Sequence, residues 1–134
     1  MPNKLKTLAL GGAMAAAASV AVAAPTGVAH AAAYNGACGS GYSVIDSGDL
    51  GSLGTVYLTI NSAGRNCVVT IRDNPGTRKH MCARVSLADA PWNQDCDNYT
   101  TFAGPVYVSA AHQCIDWSGE IDSTIFDRRG VHCG

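Results

Sequence analysis

Charged residues are scarce in this 134-residue sequence. Asp, Glu, Lys and Arg make up 14% of it, and the formal net charge is −1. Without a basic excess the chain has no electrostatic footprint for nucleic acid. Helix formers are scarce as well. Past residue 31, Leu, Met, Glu, Gln and Lys total 9, against 30 for Val, Ile, Thr, Tyr, Phe and Trp. No segment there sustains a 3.6-residue apolar period over helical length, so β structure is expected instead. Nor is there an apolar run long enough to span a membrane. Internal repeats are missing, and the length allows one domain.

What is present begins with a leader. Lys4 and Lys6 form a positive region, an Ala-rich apolar run follows from Leu8 to Ala24, and Pro25 breaks it. Ala29-His30-Ala31 then puts small residues at the two positions a signal peptidase reads. The expectation is a signal peptide over 1–31 that is removed, leaving a single secreted β domain over 32–134. Those 103 residues carry 7 basic and 10 acidic side chains, a net charge of −3.

All six cysteines lie past the leader, at Cys38, Cys67, Cys82, Cys96, Cys114 and Cys133. An even count in a short exported chain is a disulfide signature. Six cysteines allow about 15 pairings, and the sequence alone does not choose among them. Spacing suggests one: Cys82 and Cys96 flank a polar loop and would close about 15 residues, contributing on the order of 3 kcal/mol. His80, His112 and His132 stand near cysteines and raise a metal alternative. There is no C-x2-C pair, however, and an oxidising compartment turns thiols into disulfides, so no metal and no cofactor are expected.

Strands follow from alternation. Val56, Leu58 and Ile60 recur at every second position, a polar connection covers 61–66, and Cys67, Val69 and Ile71 alternate after it. These predict a hairpin over 54–72 with Cys67, Val69 and Ile71 on its buried face. Asp73-Asn74-Pro75-Gly76 is a turn. In 79–88, Met81, Ala83, Val85 and Leu87 form one face, while His80, Cys82, Arg84 and Ser86 form the other. Cys82 therefore points away from the core, toward a covering loop over 89–98 that contains Cys96. Further strands are expected near 42–45, 106–110 and 113–118, and a last hairpin or tail over 121–133. The architecture predicted is all-β, about six or seven strands in a disulfide-stapled antiparallel β-sandwich or compact β-barrel. Val56, Leu58, Ile60, Val69, Ile71, Val85, Val106, Val108 and Trp117 form the expected core.

The chemical motifs are thin. Asp116 and Glu120 could flank a sugar bond, but short acids more often serve turns and solubility. Asp89, Asp95 and Asp97 resemble a calcium loop without its pattern. Ser40 between glycines lacks the frame of a nucleophile elbow. Trp92 follows Pro91 in a polar loop, and Trp92 with Tyr99 is the one pair weighed as a ligand surface. No catalytic residue is assigned.

A set of segments carries a resemblance. Ala33-Tyr34-Asn35-Gly36-Ala37-Cys38-Gly39-Ser40-Gly41-Tyr42 opens it, and Gly54-Thr55-Val56-Tyr57-Leu58-Thr59 and Asn66-Cys67-Val68-Val69-Thr70-Ile71-Arg72 follow. Residues 99–108, then Cys114-Ile115-Asp116-Trp117-Ser118-Gly119 and a final His132-Cys133-Gly134, complete it. In order and spacing the chain resembles the spore-associated protein A family of filamentous actinobacteria. The resemblance implies export and association with the spore or aerial-hyphal surface, and it brings no enzyme activity with it. It also matches the family's usual cysteines to Cys38, Cys67, Cys114 and Cys133. Cys82 and Cys96 then read as a paired addition, which supports bridging them. Among the other four, 38–67 and 114–133 is preferred because both closures are local, with the alternative pairings still open.

Two further functions compete with the non-catalytic surface protein. One is a secreted binding module or inhibitor with a polysaccharide or protease partner, for which 89–98 would be the projecting loop. The other is a small hydrolase. Partners are expected among spore or cell-wall surface components, with no nucleic acid and, once the leader is gone, no membrane. The sequence leaves the oligomeric state open.

Overall fold

The structure is a computed structural model that describes residues 32–134; the leader reading at 1–31 lies outside them. Eight strands and no helix make up the described residues. They are β1 (Ser43–Asp49), β2 (Gly54–Ile60), β3 (Arg65–Arg72), β4 (Lys79–Leu87), β5 (Asn93–Tyr99), β6 (Phe102–Ser109), β7 (Ile115–Ile121) and β8 (Thr124–Val131). Two four-stranded sheets, β1-β2-β3-β6 and β5-β4-β7-β8, carry only antiparallel pairs. The architecture is the expected sandwich, with side chains interdigitating between two inner faces.

Val56, Leu58, Val68 and Val106 from the first sheet meet Met81, Ala83, Val85, Ile115, Trp117 and Ile121 from the second. Trp117 is fully buried and packs against Phe126 with ring centroids 5.1 Å apart. Gly119 lies among these side chains. A Cβ there would stand 2.4 Å from the Cβ of Val56, so glycine lets the sheets approach. Thr70 Oγ1 crosses between the sheets and donates to the Cys82 carbonyl at 2.8 Å.

The sequence reading placed the wrong face of β3 inside. Register pairs Leu58 with Val68 and Val56 with Thr70, so Val68 and Thr70 share the core face. The connection decides this. Asn61 Oδ1 accepts from the amides of Ala63 and Arg65, and Gly64 takes φ 81°. That loop fixes the pairing, and a slip of one residue would exchange the two faces. Cys67, Val69 and Ile71 therefore face outward, yet all three are buried. Ile60 and Val108, expected inside, are half-buried.

What covers the outward-facing residues of β3 is the segment before β1. Cys38 bridges to Cys67. Tyr34 packs edge-on against Tyr57 at 5.9 Å, and Tyr42 against Tyr107 at 5.8 Å. The Tyr107 hydroxyl donates to the Cys38 carbonyl at 3.0 Å, and the Tyr57 hydroxyl donates to the Ala32 carbonyl. Residues 32–42 thus form a strap across the outer face of the first sheet. Because β3 is covered on both sides, its residues are buried almost without a break, as in a doubly covered sheet.

The expected covering loop is also corrected. Residues 93–99 form β5, paired along its length with β4. Its polar sequence, NQDCDNY, hid it: an edge strand half open to solvent needs little apolar alternation. The chain then passes from the second sheet to the first between β5 and β6. Arg72 plugs that corner. It is 5% exposed, and its guanidinium donates to the carbonyls of Thr77, Tyr99 and Thr100 at 2.6–3.2 Å. Backbone carbonyls thereby satisfy a charge that would be costly to bury alone.

Candidate functional site

Among the described residues, no segment like 32–42 crosses the outer face of the second sheet. Directly opposed residues on neighbouring strands share a face. Register sets Cys82 between Cys96 of β5 and Glu120 of β7, and Arg84 between Gln94 and Ser118. His80 stands opposite Asn98. All of these point away from the core because Met81, Ala83 and Val85 alternate with them inside.

Arg84 organises this face. Its Nε donates to Gln94 Oε1 at 2.9 Å, and its Nη2 to Glu120 Oε1 at 2.9 Å. The same Nη2 lies 3.1 Å from Cys82 Sγ and 3.7 Å from Cys96 Sγ. His80 Nε2 lies 3.5 Å from the Cys82 sulfur and 3.5 Å from Glu120 Oε2. Cys82 is bridged to Cys96, Cys38 to Cys67 and Cys114 to Cys133, with no free cysteine. His80, Cys82 and Glu120 bring ligand-type atoms within 4.8 Å of one another. Bridged, however, Cys82 lacks the thiolate that a metal takes.

The structure does not bring Trp92 and Tyr99 together. Trp92 is half-buried, with the Arg129 guanidinium 4.7 Å above its ring. Arg129 also grips both oxygens of Asp127 at 3.1 Å. Tyr99 packs against the core edge, and its hydroxyl donates to Asp95. That hydrogen bond, helped by burial and by the charges of Asp95 and Asp97, pushes the Tyr99 phenol up to about 12. The second Asp95 oxygen accepts from the Gly104 amide at 2.8 Å, so Asp95 closes the β5–β6 corner. On the covered face, burial and the charge of Asp73 raise the Tyr57 phenol above its ordinary value.

Asp116 and Glu120 are each held by different partners. They stand four residues apart on β7, roughly 13 Å along an extended strand. Asp116 is 2% exposed and accepts from the amides of Asp89 and Gly130 at 3.1 and 2.8 Å. Glu120 is held by Arg84 and His80. An open cleft of about 350 Å³ at one end of the sandwich includes Ser62, His112 and His132 in its lining. His132 Nε2 is engaged by Asp46 at 2.9 Å.

Sequence reasoning missed the roles of Arg84, Glu120 and Arg129. Their signal was there in part: His80, Cys82 and Arg84 alternate on the outward side of one strand. Glu120 needed the β4–β7 register, which sequence does not supply.

No family model matches the chain, and no solved structure matches it. Spore-associated protein A of Streptomyces coelicolor is 46% identical to it over 128 residues, covering 94% of this chain and 82% of the relative. Identity at that level, over most of both sequences, shows common descent: the chain belongs to the spore-associated protein A family.

Proposed function

We propose that this is a non-catalytic, exported protein that resides on the spore or aerial-hyphal surface. The observation that carries the proposal is the 46% identity to a relative named for association with spores. Three supports come from the molecule. Its six cysteines are all bridged, which suits an oxidising exterior. Asp116, Glu120 and Asp95 are spent on amides, cations and a phenol that hold the fold together. Most aromatic rings are paired with one another: Tyr34 with Tyr57, Tyr42 with Tyr107, and Trp117 with Phe126. A sugar-binding strip would instead present such rings to solvent. The inhibitor alternative loses its projecting loop, since residues 93–99 are a paired strand.

The partners proposed are spore-wall or cell-wall surface components. Fractionating spores, hyphae and medium tests the location, and pull-down on isolated wall polymers tests the partner. Recovery from washed spores, with a mature N-terminus at Ala32 or within two residues of it, is the expected result. Recovery of intact Met1 from a cytosolic fraction would overturn it.

A further inference from the structure

The three disulfides sit in different surroundings. Cys38–Cys67 lies under the strap, with its residues 4% and 0% exposed. Cys114–Cys133 has an exposed Cys133, whose sulfur meets only the Gly130 carbonyl at 3.7 Å. Cys82–Cys96 has one exposed end and one buried end: Cys96 is exposed and Cys82 is 0% exposed. The buried sulfur has the Arg84 guanidinium at 3.1 Å and the His80 imidazole at 3.5 Å. Among the described residues, only this bridge has a cationic side chain within hydrogen-bonding reach of a sulfur.

From this geometry we infer that Cys82–Cys96 is an exchange-active disulfide, which accepts an external thiol at Cys96 and releases Cys82. The inference is independent of the proposed surface location. Thiol–disulfide exchange is governed by which sulfur can be reached and how well the other leaves. Cys96 is the reachable sulfur. An incoming thiolate forms a bond to Cys96 Sγ as the Cys82–Cys96 bond breaks. The electron pair departs on Cys82 Sγ, where the Arg84 guanidinium offsets the new negative charge. A second thiolate attacks the outer sulfur of the mixed disulfide and frees the Cys96 thiolate. Two thiols are thereby oxidised to one disulfide, and the protein bridge is reduced by two electrons. The β4–β5 ladder runs from Lys79–Tyr99 to Val85–Asn93, so six other residue pairs hold the strands while the bridge is open.

The test uses the folded, fully oxidised chain and reduced glutathione. Samples are quenched with acid, alkylated and mapped as peptides by mass spectrometry. The expected result is a glutathione adduct on Cys96 with Cys82 free. This bridge should open at least about tenfold faster than either of the others. Arg84→Gln should slow opening at least about fivefold, and in a glutathione redox buffer it should shift the equilibrium toward the bridged form. Arg84→Lys should recover part of both effects. Earlier opening of Cys114–Cys133 would show that exposure alone decides and would overturn the inference. So would an adduct on Cys82, or an Arg84→Gln protein with wild-type kinetics. Should Arg84→Gln fail to fold, the order of opening and the adduct position in the unaltered protein still decide.

Discussion

The two sheets share one core but treat their outer faces in opposite ways. The first sheet hides its outer face under residues 32–42, and Val69 and Ile71 are as buried there as core residues. The second leaves its outer face to Arg84, Glu120, His80 and the Cys82–Cys96 bridge. The difference shows what each disulfide is for. Cys38–Cys67 fastens one layer onto another, and without it an apolar surface meets water. Cys82–Cys96 joins two strands already paired, so its structural contribution largely repeats what the ladder supplies.

The largest expected effect tests the covered side. Cys38→Ala with Cys67→Ala should cost about 3–5 kcal/mol, because the strap loses its closure and Val69 and Ile71 are uncovered. Chemical denaturation measures it. The matching pair on the open side, Cys82→Ala with Cys96→Ala, should cost about 2 kcal/mol. An equal or greater loss there would break the comparison. Next come the strap's hydroxyls. Tyr57→Phe and Tyr107→Phe should each cost about 1 kcal/mol, since each removes one hydrogen bond to a strap carbonyl.

The last effect is read as a slope in alkali. The Tyr99 phenol is raised from 10.0 to about 12 in the fold, so the unfolded chain releases that proton first. Stability from this group is complete below pH 10 and is lost as pH rises toward 12. Tyr99→Phe removes the hydrogen bond to Asp95, so it should lower stability at neutral pH and flatten the alkaline unfolding profile in that window. Tyr57, raised in the same direction, should supply the slope that remains.

Alternation in 54–60 and 79–87 revealed β2 and β4 and their inward sides, because a half-buried strand must repeat every two residues. The same rule misled at β3, where the Asn61–Arg65 connection sets the register and a second covering layer erases the contrast between faces. It failed again at β5, whose polar edge has no apolar side to display. Spacing suggested Cys82–Cys96, and the resemblance, by setting those two apart, left the local closures 38–67 and 114–133 as the preferred pairing of the other four; the structure forms all three. The cluster on the open face was only half legible. Arg84 and His80 flank Cys82 in sequence, but Glu120 arrives from 36 residues away through strand pairing. Tyr99 and Trp92 looked alike as aromatics in a polar stretch. One is drawn to the core edge by Asp95 and the other lies beneath Arg129, and neither arrangement is written in local composition.

One contact at the start of the strap makes the order of events matter. The Ala32 nitrogen donates to Asp73 Oδ1 at 2.9 Å. In a chain still joined to residue 31, that nitrogen is a neutral amide. Cut after Ala31, it becomes an ammonium group with up to three protons, and the same hydrogen bond becomes an ion pair with the Asp73 carboxylate. Trimming would then do more than discard a leader. It would generate the charge that latches the free end of the strap, so an uncut precursor would carry the same disulfides with a looser first layer. Acetylating the new amino group would return the mature chain to its precursor's grip at that corner.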